Sequence, residues 1–374
     1  MILFLGSGVS LASGLPSVDT IRKHLRYAHG NPNIQALLDL LETINADYIE
    51  FSAPYKAGAR SFKCTDQIYG NSTTYEDLFY LANRIALNGC GLLNDATAES
   101  FSEAVRKQAK PFLKRRTKIE RRIELIKLAS QTTRFIEKEV ANLLIDKKII
   151  GLNLIKEMAN STLIDKLDIV TLNHDIIVEK LLSNGDIEYC DGFGDQDGDL
   201  RFFEDLFPER VRISLIKLHG SINWYRTGDT GIVRPAAITS NDITRCKDAR
   251  GKLLISNQSI PSFLSGQSKV FQYNRGIFAD MQYRFQQTLR RNNLIIMSGY
   301  GWGDVPINFH LQYWLDKNKY NRLVLLYEQP DKLKEASKEM AEMYDVYTRK
   351  GRIIPISQWL QNTSIEDLKD QLFA

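Results

Sequence analysis

Cysteine is scarce in this chain of 374 residues; the four present, Cys64, Cys90, Cys190 and Cys246, are scattered singly. No pair has the C-x-x-C spacing of a zinc ribbon, and so few thiols do not make the disulfide framework of a small secreted domain. No metal is therefore expected. Long hydrophobic runs are missing as well. Nothing approaches the ~20 apolar residues that span a bilayer, and the start, "MILFLGSGVS", has no basic leader. Cytoplasmic residence without a membrane partner is the expectation. A dominant charge sign is also absent. The net charge of +4 is too mild to argue for nucleic acid. One stretch, "KQAKPFLKRRTKIERR" (Lys107 to Arg122), is locally basic. It reads first as a solvated helix face and otherwise as a phosphate-binding patch.

What is present is ordinary globular composition, 43% hydrophobic and 25% charged, enough for one large domain or two. Short apolar runs occur at "MILFLG" (Met1 to Gly6), "LDIVTLN" (Leu167 to Asn173), "ISLIKLHG" (Ile213 to Gly220), "NLIIMSG" (Asn293 to Gly299) and "RLVLLYE" (Arg322 to Glu328). "RIIPIS" is a weaker sixth. They lack polar alternation, as parallel strands covered on both faces do. Helical patterns separate them, such as "DIIVEKLLSNG", with Gly185 as its stop.

The intervening segment 30–165 differs in character. It carries helical stripes at Leu37, Leu38, Leu41 and Ile44, then at Leu78, Phe79, Ala82 and Ile85. A third runs through Ile119, Ile123, Ile126, Thr133, Ile136, Val140 and Leu143. Thr74 before Asp77 predicts a helix N-cap. These stripes are expected to face a core. Residues 226–252 lack periodicity and are expected to form a long loop. The fold expected is α/β, a parallel sheet of about six strands formed by 1–29 and 166–374, with 30–165 as a helical insertion.

Four motifs fall at the ends of predicted strands, where α/β sheets hold their ligands. In "LGSGVSLASGLP", Gly6 and Gly8 allow a sharp turn into a helix, an anion site suited to a pyrophosphate. Ser7, Ser10 and Ser13 add hydroxyls, and Gly14 opens a second turn. In "TLNHD", from Thr171, the side chains of Asn173 and Asp175 can both point into the crevice, toward ribose hydroxyls or a water. His174, between them, points the other way and is taken as structural. "KLHGS" places His219 and Gly220 at a strand end. In "SGYGWGDVPIN", Ser298 and Gly299 begin a glycine-rich turn in which Tyr300 or Trp302 can stack on a base. Each motif alone has a bland reading as turn or packing. Their convergence on one sheet edge is what points to a site.

Together these motifs resemble the sirtuin family of NAD-consuming enzymes. Gly6-Ser7-Gly8-Val9-Ser10 with Ser13-Gly14-Leu15-Pro16 is similar to the family's first dinucleotide-binding signature, and Asn173 with Asp175 to its Asn-x-Asp motif. His219-Gly220 is similar to its catalytic His-Gly, and Ser298-Gly299-Tyr300 to its late Gly-Thr-Ser segment. The resemblance implies a Rossmann-like fold, NAD as the bound substrate, and catalytic roles for Asn173, His219 and Asp175. Two departures set the chain apart from the family's protein deacylases. Ser17-Val18-Asp19 follows Pro16 where the deacylases have Asp-Phe-Arg, and the four-cysteine zinc module is missing. "KLHGSINW", Tyr75 to Leu78 and "GYGWGDVPIN" resemble instead a bacterial antiphage branch that hydrolyses NAD to nicotinamide and ADP-ribose.

The expected activity is thus an NAD hydrolase. A protein deacylase or ADP-ribosyltransferase, or a non-catalytic NAD or ADP-ribose sensor, are the alternatives; the presence of Asn173 and His219 argues against the sensor. The resemblance further implies gating by assembly: a homo-oligomer, with a HerA-type hexameric ATPase or translocase as candidate partner. The helical insertion is then the expected assembly surface. Direct nucleic-acid binding stays open.

Overall fold

A computed structural model of the chain describes residues 1–28, 30–52, 73–92, 96–145, 147–227, 231–237, 243–256, 259–266, 269–335 and 337–372. Cys64 lies outside them; no disulfide is formed by Cys90, Cys190 or Cys246. The chain divides into two compact units. One comprises Met1–Leu15, Leu144–Phe263 and Gln272–Ala374, and the other Pro16–Leu143 and Leu264–Phe271.

The first unit is a Rossmann-like α/β body. Its main sheet uses the apolar runs predicted from sequence: β1 (Ile2–Leu5), β2 (Leu167–Thr171), β5 (Ile213–Lys217), β9 (Leu294–Ser298), β10 (Arg322–Leu326) and β11 (Ile353–Ile356). Every pairing is parallel, in the order β11-β10-β9-β1-β2-β5. All four side chains of β1 are fully buried, each worth roughly 1.5–3 kcal/mol of burial. This explains why the run lacks polar alternation. Helices α6 (Asn153–Asn160), α7 (Ile177–Asn184), α8 (Gly276–Arg291), α9 (Val305–Lys317) and α10 (Lys338–Arg349) belong to the same unit. From β1 the order runs outward through β2 and β5, then resumes at β9 on the other side of β1. The loops after β1 and β9 therefore flank the switch point of the sheet.

A second sheet was not anticipated. Strands β3 (Gly192–Asp197), β4 (Leu200–Leu206), β6 (Gly220–Arg226), β7 (Ile232–Pro235) and β8 (Pro261–Phe263) form an antiparallel sheet ordered β3-β4-β7-β6-β8. Leu200, Val233 and Ile255 make its core. Within 226–252, read from sequence as loop, β7 pairs with both β4 and β6. Register shifts interrupt β3 against β4 and β6 against β8, and such shifts erase the strict alternation that reveals a strand. One signal was available. Gly198-Asp199 is the two-residue turn joining β3 to β4, with Gly198 at φ +62°, and a Gly-Asp pair is a hairpin signal.

The helical unit contains α1 (Val18–Tyr27), α2 (Pro32–Ser52), α3 (Tyr75–Gly89), α4 (Ala96–Gln108) and α5 (Lys118–Leu144). Thr74 and Asp77 form a full capping box at the start of α3. The third stripe needs correction. Ile119 and Ile123 are 73% and 61% exposed, and burial on α5 begins at Leu125 and Leu128. The basic stretch is laced with ion pairs to acidic neighbours, Arg122 to Glu99 at 2.9 Å and Lys118 to Glu103 at 3.4 Å. No helix among the described residues is long and apolar enough to cross a membrane.

Candidate active site

The site residues predicted from sequence gather at the carboxyl ends of the parallel strands in three groups. The first is built on Ser10. The Asn173 amide Nδ2 donates to Gly6 O and to Ser10 Oγ, both at 3.0 Å. Ser10 Oγ in turn donates to Asp175 Oδ2 at 2.8 Å, while Asp175 Oδ1 accepts from Ile177 N at 3.2 Å. Thr171, at the end of β2, accepts from Asn173 N at 3.0 Å. Asn173, Asp175, Thr171 and Ser10 are all buried. Both carboxylate oxygens of Asp175 are thus engaged, one holding Ser10 and the other starting α7. Asp175 acts here as a brace for the β1 turn and the start of α7. Asn173 spends its two amide hydrogens on the β1 turn and keeps the acceptor Oδ1.

The second group is the loop pair at the switch point. Gly6 N donates to Ser298 O and Gly8 N to Gly299 O, both at 2.9 Å, and Val9 N donates to Gly6 O at 3.2 Å. The amides of Gly6, Gly8 and Val9 are therefore occupied within the protein. The turn continues as a 3-10 helix over Ser7–Ser13, not an α-helix. The two loops touch backbone to backbone. A Cβ on Gly6 would lie 2.5 Å from Gly299 O, and one on Gly8 2.7 Å from Gly299 Cα. Gly299 itself has φ +68°, and a Cβ there would meet Val9 N. Only glycine fits this contact.

Other predicted binders are also turned to structure. Ser298 Oγ donates to Leu326 O at 3.2 Å. Ser13 Oγ joins both the carbonyl and the amide of Ile150 at 3.1 Å. Gly14 ends the 3-10 helix with φ +75°. Tyr300 is buried, its hydroxyl 2.7 Å from Asn308 Oδ1 and 2.9 Å from Asp304 O. Burial, with Asp304 nearby, pushes its phenol well above the usual range. Trp302 does not present its ring for stacking. It is 1% exposed, packs 5.9 Å from the Tyr344 ring and has φ +57°. A tryptophan in that backbone region is strained. Ser7 is exposed, and nothing lies within 4 Å of a Cβ built on Gly301 or Gly303. These remain the open parts of the two loops.

The third group surrounds His219. Two residues, Leu218 and His219, separate β5 of the parallel sheet from β6 of the antiparallel one. Gly220, at φ +77°, turns the chain, and a side chain there would strike Ser262 O. This junction is why a histidine stands at the strand end. Its ring is 3% exposed. Nε2 lies 2.7 Å from Tyr273 Oη and 3.3 Å from Asp304 Oδ2, and Tyr273 Oη donates to the same Oδ2 at 3.0 Å. His174 packs beside this group. Its ring centroid is 6.1 Å from that of His219 and 4.6 Å from Phe263. Below, Lys217 Nζ reaches Asp175 O and pairs with Glu179 Oε1 at 2.7 Å, both side chains buried. Burial pushes the Glu179 carboxyl up, with the Lys217 ammonium pulling the other way.

Tyr273 and Asp304 were missed from sequence. Tyr273 is remote in the chain, with no motif around it. Asp304 carried one legible signal: it caps α9, accepting from Ile307 N at 3.2 Å with a proline in the first turn. Among the described residues, no group of three or more His, Cys, Asp or Glu side chains is arranged to hold a metal.

The fold belongs to the Rossmann-like class of parallel α/β sheets with polar groups at the carboxyl edge. Residues 168–347 match the family described as a SIR2-like domain. That stretch carries Asn173, His219, Tyr273 and Asp304. No curated protein matches the chain. Among solved structures, a Sir2 homologue in complex with NAD is 11% identical, with TM-score 0.44, covering 99% of this chain and 90% of that one. A mutant Sir2 homologue in complex with ADP-ribose is 12% identical, with TM-score 0.37, covering 87% and 79%. A Sir2 bound to an inhibitor, 2'-O-acetyl-ADP-ribose and a deacetylated peptide is 9% identical, with TM-score 0.33, covering 100% and 94%.

Proposed function

We propose that the chain is an NAD hydrolase that cleaves NAD to nicotinamide and ADP-ribose. The observation that carries this reading is the buried His219, anchored through Nε2 at the end of β5, beside the strand whose end presents Asn173. The SIR2-like match over these residues supports the same reading. In the reaction the bond from ribose C1' to the nicotinamide nitrogen breaks, and its electron pair neutralises the cationic ring. A water oxygen bonds to C1', and one water proton passes to His219. Imidazole is the side chain most often used as a general base for such a transfer. Asn173, through Oδ1, orients the water or the nicotinamide ribose. The open backbone at Gly301 and Gly303 and the exposed Ser7 lie in the loops that would hold the rest of the dinucleotide. Asp175 holds Ser10 and through it the β1 turn.

The biological setting follows the same resemblance. Depletion of NAD in a phage-infected bacterial cell requires that a cytoplasmic hydrolase be gated. Self-assembly through the helical unit, and a HerA-type translocase as partner, would supply the gate. The test is chromatography of NAD incubated with the purified chain at high concentration, beside His219→Ala. The expected result is nicotinamide and ADP-ribose from the parent, with the variant slower by about 100- to 10,000-fold. Consumption only in the presence of an acyl-lysine peptide would replace hydrolysis by deacylation. Equal rates in parent and variant would remove His219 from the mechanism.

A further inference from the structure

We infer that Asp304 is a positioning residue for His219, acting through Tyr273, and that it decides which imidazole nitrogen is offered to the substrate. The chemistry of this inference rests on the hydrolase reading; the geometry behind it does not. A phenol has one hydrogen, and Tyr273 Oη gives it to Asp304 Oδ2 at 3.0 Å. Its lone pairs then face His219 Nε2 at 2.7 Å, with Asp304 Oδ2 also 3.3 Å from that nitrogen. Two acceptors converge on Nε2, so Nε2 carries the hydrogen. In the neutral ring the lone pair is then on Nδ1, the nitrogen that can take a proton.

The members of this chain are held on both sides. The His219 and Asp304 side chains are only 4% and 9% exposed. The other oxygen of Asp304 caps α9, and a helix N-terminus favours a negative charge. Its backbone is clamped by Tyr300, whose hydroxyl accepts from Asp304 N at 3.1 Å and lies 2.9 Å from Asp304 O. Tyr273 stacks beside the imidazole at 5.9 Å and 24°. A base whose far nitrogen is tied to a fixed carboxylate is the general arrangement by which proteins orient a histidine and stabilise its protonated form. The groups facing His219 are Tyr273 from the segment before α8, Asp304 from the start of α9, and His174 from the end of β2.

The test uses the full chain with 15N-labelled histidine, compared with Asp304→Asn and Tyr273→Phe. Asparagine is as good an N-cap as aspartate, so α9 keeps its start. The His219 signal, one of five histidines, is assigned by its loss in His219→Gln. In the parent, His219 is expected as the Nε2-protonated tautomer. In Asp304→Asn the tautomers mix and the titration midpoint falls because the imidazolium loses its carboxylate partner; in Tyr273→Phe, which removes the phenol but keeps the Asp304 carboxylate 3.3 Å from Nε2, both changes are expected to be smaller. NAD hydrolysis by Asp304→Asn is expected to lose about 100-fold or more in kcat, with KM little changed and the acid limb of the pH profile moved to lower pH. Asp304→Glu should recover part of the rate. An unchanged tautomer and midpoint in both variants, or faster hydrolysis by Tyr273→Phe, would overturn the inference; the latter would make Tyr273 a plug. A parent that leaves NAD intact counts against the hydrolase reading, and the nitrogen spectra still decide the positioning role.

Discussion

Two sets of glycines stand at the carboxyl edge of the sheet, and they serve opposite ends. Gly6, Gly8 and Gly299 are pressed together where the β1 and β9 loops meet, with no room for a methyl group. Gly301 and Gly303, a few residues on, face open space. In sequence both sets read alike, as backbone made thin for a ligand. The first set is thin for the protein's own backbone. A glycine-rich motif therefore marks close approach without saying what approaches, and the answer lies in the neighbouring loop.

Substitutions at these positions test the contrast. The largest effect is expected at Gly299→Ala, which adds a Cβ against Val9 N and forces a side chain to φ +68°. Strain and overpacking together should cost about 3–5 kcal/mol, read as a fall in the urea midpoint. A variant as stable as the parent would mean the loops can part, and would reopen this crevice as a ligand site. A smaller loss, about 1 kcal/mol, is expected for Ser298→Ala, which removes the bond from Oγ to Leu326 O. NAD affinity should be unchanged in that variant, since the hydroxyl faces β10; a weakened affinity would return Ser298 to the binding site. The smallest effect on stability is expected at Gly301→Ala, within about 0.5 kcal/mol. Under the hydrolase reading, this same change should weaken NAD binding in a calorimetric titration. Loss of stability with unchanged affinity would erase the distinction between the two sets.

The parallel sheet was legible because its strands are buried on both faces, so that Ile2 to Leu5 or Leu323 to Leu326 form unbroken apolar runs. The antiparallel sheet was not legible. β3 and β4 are only partly buried, the β3–β4 and β6–β8 pairings are broken in register, and β3 ends in Asp-Gln-Asp. Asn173 and His219 were found because each leaves a recognisable strand. Their supports were not, because Tyr273 lies 54 residues from His219 and Asp304 lies 31 from Tyr273. Aromatic type alone also misled at Trp302. A large ring near a glycine turn can face a ligand or the core, and only its packing against Tyr344 separates the two.

The sequence by itself determined the strands of the parallel sheet, the strand ends that carry polar residues, and the capping box at Thr74 and Asp77. All of these follow from local periodicity and from hydrogen bonds between residues a few positions apart. The tertiary structure alone decided what those polar residues do. It turned Asp175 into the brace of Ser10, tied the amides of Gly6 and Gly8 to the β9 loop, and tied His219 to Tyr273 and Asp304. A side chain's chemistry depends on which donors and acceptors reach it through space. Those partners come from elements whose distance along the chain carries no trace of their meeting.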